Sequence, residues 1–147
     1  MKKHRYNWWP FAINMIEDYP QRREELKRLR EQKITANLSG MPRSGGENRS
    51  VENLAIRCLP RQEQKEHDAV LLAVNRTKRM KDGNLRMGIV RLTLWGKFKI
   101  SGAAMQMHIS ERTATRYRWQ FIMLVGRMYG VLSEEEFREA VKKDNPT

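Results

Sequence analysis

The prediction of the fold depends first on the stretch MHISERTATRYRWQ, residues 107–120, because its residues predict a tight turn followed by the start of a basic helix. Ser110 is suited to cap that helix, since its hydroxyl can accept backbone N–H groups that the first helical turn leaves unpaired. Ala114 and Tyr117 begin an apolar stripe on one side of the helix. The opposite side is predicted to face outward and carries Arg112, Thr115, Arg116 and Trp119.

The residues before this stretch complete a helix-turn-helix pattern. A first short helix is predicted to begin at Ile100 and to place Ala103 and Ala104 where two helices cross, because a steep crossing needs small side chains. Ile109 is expected to fill the turn. His108 occupies the position where many such turns carry glycine, since the backbone there often needs a positive φ. The pattern predicts two short helices with the second one available for the DNA major groove.

Each residue type on the predicted outer face has a role in DNA recognition. Arginine forks can hold guanine edges or phosphates, and a threonine methyl group can pack on thymine. Lysines just before the unit can hold the phosphate backbone, which positions a protein without reading sequence. The candidate DNA-binding residues are Lys97, Lys99, Ser110, Arg112, Thr113, Thr115, Arg116 and Trp119.

The charge of the chain agrees with a polyanionic partner. The 147 residues include 29 Lys and Arg against 17 Asp and Glu, which gives a net charge of +12. Residues 76–118 hold eleven basic residues and two acidic ones, a net +9 in the segment that contains the predicted unit. A strong positive charge clustered in this way is typical of nucleic-acid-binding proteins, so double-stranded DNA is the expected partner.

The remainder of the chain predicts an all-α protein, because apolar residues recur at helical spacing and no strand alternation appears. Residues 1–33 form an N-terminal helical segment, in which one helix covers about 8–19 and a second begins at Pro20. Residues 34–50 are rich in glycine, serine and proline and predict a flexible linker. Residues 51–132 form the helix-turn-helix domain, with helices over about 51–58, 61–81 and 85–95. Residues 133–147 begin with the capping box SEEE and predict a short C-terminal helix that packs on the domain or on a partner.

Other classes of site find little support in the sequence. The single cysteine and three scattered histidines lack the spacing of a metal site, so no metal or cofactor is expected. No nucleophile and base are placed for catalysis, which argues against an enzyme. No run approaches the ~18 apolar residues of a membrane span, and the N-terminus lacks the apolar region of a signal peptide. These features predict a cytoplasmic, non-enzymatic protein.

Two segments resemble a known family. MHISERTATRYRWQFIMLVGRMYGVL is similar to the C-terminal helix-turn-helix of RinA/ArpU-type phage transcriptional regulators, which in turn resembles region 4 of sigma factors. SGMPRSGGENRSVENLAIR resembles their linker and the short helix after it. The resemblance covers most of residues 10–132 and departs at Lys99, where a capping Thr or Ser is usual, so that Ser101 is an alternative start for the first helix.

The resemblance implies an activator of phage or prophage late genes in a bacterial host cell, with RNA polymerase as a further partner. Its matching DNA-contact positions are Ser110, Arg112, Thr113, Thr115 and Arg116. Two alternatives stay open at this point. One is a DNA-packaging protein of the small-terminase type, in which the N-terminal helices would join copies of the chain into a ring. The other is a nucleic-acid-binding protein without base preference.

Overall fold

The computed structural model describes residues 6–38 and 59–144. These ranges contain six α-helices and no strand, which confirms the all-α prediction for the described part of the chain. A π-helical turn, Arg91–Trp95, extends the third helix. The helices are α1 (Trp9–Leu38), α2 (Arg61–Arg79), α3 (Gly83–Val90), α4 (Ile100–Gln106), α5 (Glu111–Tyr129) and α6 (Glu134–Asp144).

The core is built around the second half of α5. Every residue from 120 to 126 is buried, because α1, α2 and α6 pack around this part of the helix. The predicted stripe of α5 is confirmed at Ala114, Tyr117, Phe121, Leu124 and Val125. The stripe is wider than its spacing indicated, since Ile122 and Met123 are also fully buried.

The prediction that a second helix begins at Pro20 is wrong, because α1 continues through this residue. A proline inside a helix has no N–H for the carbonyl four residues earlier, which here belongs to Ile16. The indole Nε1 of Trp95 donates a hydrogen bond to that carbonyl at 2.6 Å. A side chain from the segment before the helix-turn-helix thus replaces the missing backbone donor.

The first half of α1 belongs to the same core as α2 and α5. Trp9, Met15 and Ile16 are buried in the main hydrophobic cluster. The ring of Trp8 lies where a side chain on Gly126 would be, since a Cβ built there would approach Trp8 Cζ3 to 2.6 Å. This close approach fixes the N-terminal end of α1 against α5.

Polar contacts continue the attachment of α1 to α2. The ring of Tyr19 stacks on His67 with centroids 5.0 Å apart. One turn further along, Arg22 forms an ion pair with Glu66 at 2.7 Å, and both side chains are largely buried. Burial lowers the pKa of the His67 imidazole below its usual value.

Several predicted boundaries can be compared with the structure. The predicted helix over 61–81 is confirmed, as is the turn at Asp82, whose φ is 59°. Residues 34–38, assigned to the linker, continue α1 instead, whereas the rest of the linker and the helix over 51–58 lie outside the described residues.

The C-terminal helix packs on the domain. The capping box at Ser133 is present, with reciprocal hydrogen bonds to Glu136. Phe137 is buried and joins α6 to the main core. Within residues 6–38 and 59–144, no helix has the length and apolar character needed to cross a membrane.

Candidate nucleic-acid interface

The predicted helix-turn-helix is present at residues 100–129. Four residues, 107–110, separate α4 from α5, so a short turn joins the two helices. Ala103, Ala104 and Ala114 are buried in one cluster where the two helices pack together, as the pattern predicts. Together with Ile89 and Tyr117 they form a second hydrophobic cluster, separate from the main core. The helix-turn-helix therefore has its own small hydrophobic core.

The turn adopts the geometry that its sequence predicts. His108 has a φ of 57°, which confirms the positive value expected at this position. Ile109 is half-buried and packs on the second cluster. Ser110 caps α5, because its Oγ accepts a hydrogen bond from the Thr113 N–H at 3.2 Å. The hydroxyls of Ser110 and Thr113 are also 2.9 Å apart and hydrogen-bonded.

The outer face of α5 is accessible over its first two turns only. Arg112 and Thr115 are exposed, and Arg116 is half-buried. Their spacing of three and four residues places all three on one side of the helix. Beyond them the helix enters the core. The accessible end of α5 is therefore short, cationic and adjacent to the turn.

Trp119 requires a correction. It was expected on the outer face, but its ring is half-buried and packs against the main hydrophobic core. The physical reason is its place in the helix. Trp119 directly precedes the buried residues 120–126, so it lies where α5 enters the main core.

Lys97 is also placed differently from the expected phosphate clamp. Its φ is 57°, and its ammonium group forms an ion pair with Glu17 of α1 at 2.5 Å. Glu17 also acts on Arg118, where it opposes the lowering of the arginine's pKa by burial. Lys99 is exposed and is the residue before α4, without a side-chain cap. The first helix starts at Ile100 rather than at the alternative Ser101.

Arg86 organises the site, although the sequence analysis assigned it no individual role. Its guanidinium donates hydrogen bonds to Gln120 Oε1 at 2.5 Å and to the Lys81 carbonyl at 3.1 Å. It also lies 4.4 Å from the ring centroid of Tyr117. The Arg116 guanidinium lies 5.9 Å from the same centroid, so the two cations share the Tyr117 ring. Burial lowers the pKa of Arg86, and nearby Arg116 lowers it further.

The position of Arg86 connects α5 to the basic end of α2. Lys78, Arg79 and Lys81 are exposed at that end and immediately precede the turn into α3. Because Arg86 contacts both the Lys81 backbone and the Tyr117 ring, this end of α2 lies near the Arg116 side of α5. Sequence spacing could not reveal this, since Arg86 and Gln120 are 34 residues apart.

The candidate metal ligands of the described residues are scattered. Over 6–38 and 59–144, no three His, Cys, Asp or Glu side chains come together as metal ligands would. His67 lies in the core against Tyr19, and His108 lies in the turn. Comparisons of the chain with models of known protein families, with curated proteins and with solved structures find no match.

Proposed function

We propose that this protein binds double-stranded DNA by placing the first two turns of α5 in the major groove. The proposal depends on one observation: Arg112, Thr115 and Arg116 lie on the same side of a capped helix. The opposite side of that helix packs into the hydrophobic core of the helix-turn-helix. A helix presented by its N-terminal end, with arginine and threonine on its outer side, suits base edges and phosphates alike.

The two arginines of this face differ in their surroundings, which supports different roles. Arg116 is half-buried and its guanidinium lies 5.9 Å from the Tyr117 ring centroid, so its orientation is restricted by the protein. Arg112 is exposed near the helix start. A guanidinium group whose orientation is already restricted favours bidentate contact with a base, because it loses less conformational freedom on binding. Arg116 is therefore the proposed base reader, and Arg112 contacts phosphate.

The proposed biological role is regulation of transcription by a protein that carries out no chemical step. The resemblance of residues 107–132 to RinA/ArpU-type regulators supports activation of phage or prophage late genes in the cytoplasm of a bacterial host. Its similarity to sigma-factor region 4 supports RNA polymerase as a second partner. These points rest on the sequence resemblance.

Selection of duplexes from a random pool at physiological salt tests the proposal. An enriched sequence is expected, and its symmetry would report the number of subunits bound. Arg116→Ala should then weaken binding to the enriched site by about 1–3 kcal/mol and reduce its preference over random duplex. Arg112→Ala should weaken binding to all duplexes alike. The slope of log K against log salt should become shallower by about 0.9, which corresponds to the loss of one phosphate contact.

Arg138→Ala on α6 is the matched control, since it removes one exposed cation outside the helix-turn-helix. Absence of any enriched sequence, together with equal binding of random duplex and RNA, would instead indicate a protein without base preference. A ring of eight or more subunits by solution mass would favour DNA packaging over regulation.

A further inference from the structure

A second feature of the surface is a groove of about 470 Å³ between α1 and the side of α2 and α3. Its walls are apolar where they meet the core and include Tyr19, Leu71, Met87 and Trp95. The ring of Tyr19 is only 5% exposed, because it stacks on both His67 and Trp95. The accessible apolar wall of the groove is therefore formed by the half-buried Trp95 and by Leu71, which is 38% exposed. Volumes of this size and character are typical of sites for small organic molecules.

Three cations surround this apolar surface, and each comes from a different segment. Arg23 belongs to α1, Lys78 to α2 and Arg91 to the π-helical turn after α3. One carboxylate, Glu24, is also present, which leaves a net charge of +2 around the groove. Within the described ranges, none of the three cations forms an ion pair or a hydrogen bond through its side chain, unlike Arg22 and Arg86 nearby.

We propose that this groove binds a small organic anion with an apolar body. The apolar part of the ligand would lie along Leu71 and Trp95, and its carboxylate, sulfonate or phosphate group would be held by Lys78 and Arg91, with Arg23 at the α1 side. The argument is charge complementarity. Unpaired cations at the edge of an apolar groove attract an anion, while the carbon-lined wall stabilises the part of the ligand that leaves water.

Duplex DNA fits this groove less well than a small anion does. Phosphate backbone is charged along its whole length and gains nothing from Leu71, Met87 or the aromatic rings. The groove also lies against the contact that joins α1 to the segment before α4, since Trp95 both lines it and donates to the Ile16 carbonyl. A ligand bound there would contact α1 and the approach to the helix-turn-helix together.

The test uses the full chain and a fluorescent probe of the proposed chemistry, 8-anilinonaphthalene-1-sulfonate. Its neutral analogue N-phenyl-1-naphthylamine has the same ring system without the sulfonate. We expect saturable binding of the sulfonate at one site per chain and binding of the neutral analogue about tenfold weaker, because charge-assisted contacts hold the anionic group. Lys78→Gln with Arg91→Gln should weaken sulfonate binding by about tenfold and leave the neutral analogue unaffected.

The control removes two cations of the same helix region that do not line the groove, Arg76→Gln with Arg79→Gln. It should bind the sulfonate within about twofold of the unmodified chain. A third variant, Leu71→Glu, should abolish binding, since it adds a negative charge at a wall residue already 38% exposed and therefore tolerant of change.

Three results would overturn the inference: equal loss of binding in the two double variants, equal affinity for the neutral analogue, or unaltered binding by Leu71→Glu. The first would show adsorption to surface cations only. The titration contains no DNA, so its failure is independent of the proposed DNA binding. Loss of DNA binding in the Arg116→Ala variant is likewise independent of the groove.

Discussion

Removing the carboxylate of Glu17 should strengthen DNA binding, although Glu17 lies on α1 and outside the helix-turn-helix. Its Oε1 accepts from the Lys97 ammonium group at 2.5 Å. The Lys97 side chain is 63% exposed, so it is accessible to a phosphate, but a phosphate that contacts it must first displace Glu17. Glu17→Gln removes this competition and keeps the shape of the side chain.

The size of the effect follows from the exposure of the pair. With Lys97 at 63% and Glu17 at 39%, solvent screens the interaction, and exposed pairs contribute about 0.2–1 kcal/mol. Affinity for duplex should therefore rise by a factor of about 1.4 to 5 at low salt. If the released lysine gains a phosphate contact, the slope of log K against log salt should steepen by about 0.9.

Fluorescence anisotropy with a labelled random-sequence duplex at several KCl concentrations measures both quantities. Asp18→Asn is the matched control, because it makes the same change of charge on the next residue of α1 but leaves the pair intact. Lys97→Gln alone and together with Glu17→Gln completes a double-mutant cycle. In the chain that carries Lys97→Gln, Glu17→Gln should no longer increase the affinity for duplex. An equal gain in the presence and absence of Lys97, or an equal gain from Asp18→Asn, would refute the reasoning.

Three further predictions concern stability and can be measured by denaturant unfolding. Trp95→Phe removes the donor to the Ile16 carbonyl and should lower the free energy of unfolding by about 1–3 kcal/mol. In a chain that also carries Pro20→Ala, the backbone N–H of residue 20 can donate to the same carbonyl, so Trp95→Phe should cost less there. Gly126→Ala should cost about 1–3 kcal/mol against a rigid indole ring, whereas Gly88→Ala meets the flexible end of a methionine and should cost less. Burial lowers the pKa of His67 in the folded protein, so as the pH falls the unfolded chain binds the proton first. The free energy of unfolding should therefore decrease as the pH drops below 6.5. His67→Phe should reduce the pH dependence of the free energy of unfolding in that range.

The local parts of the fold could be predicted from sequence because they depend on neighbours along the chain. Helical spacing located the buried stripe of α5, and the short sequence His108-Ile109-Ser110 gave the turn, its positive φ and its cap. Each of these features involves residues within about one helical turn of one another, so a single sequence contains the information that determines them.

The parts that sequence reasoning missed depend on contacts between distant segments. Pro20 is a common helix start, and only the indole of Trp95, 79 residues from Ile16, allows α1 to continue through it. The ion pair of Lys97 with Glu17, 80 residues away, could not be predicted from the sequence, whereas the assignment of Lys97 to phosphate stays a prediction. Trp119 was placed on the outer face because helical spacing does not show where a neighbouring helix begins to cover α5.

The contacts of α1 explain why this helix matters to the candidate site without being part of it. Ile16 and Glu17 are adjacent, and they hold Trp95 and Lys97 through one backbone and one side-chain interaction. The two bonds fix both ends of a three-residue segment whose last member has a left-handed backbone, and α4 begins three residues later. A non-glycine residue keeps such a conformation where its surroundings determine it. The exposed Glu17–Lys97 pair contributes little to this attachment, so the bond from Trp95 to the Ile16 carbonyl is the one that sets the position of the first helix of the unit. Loss of that bond should alter DNA binding through α4 rather than through direct contact.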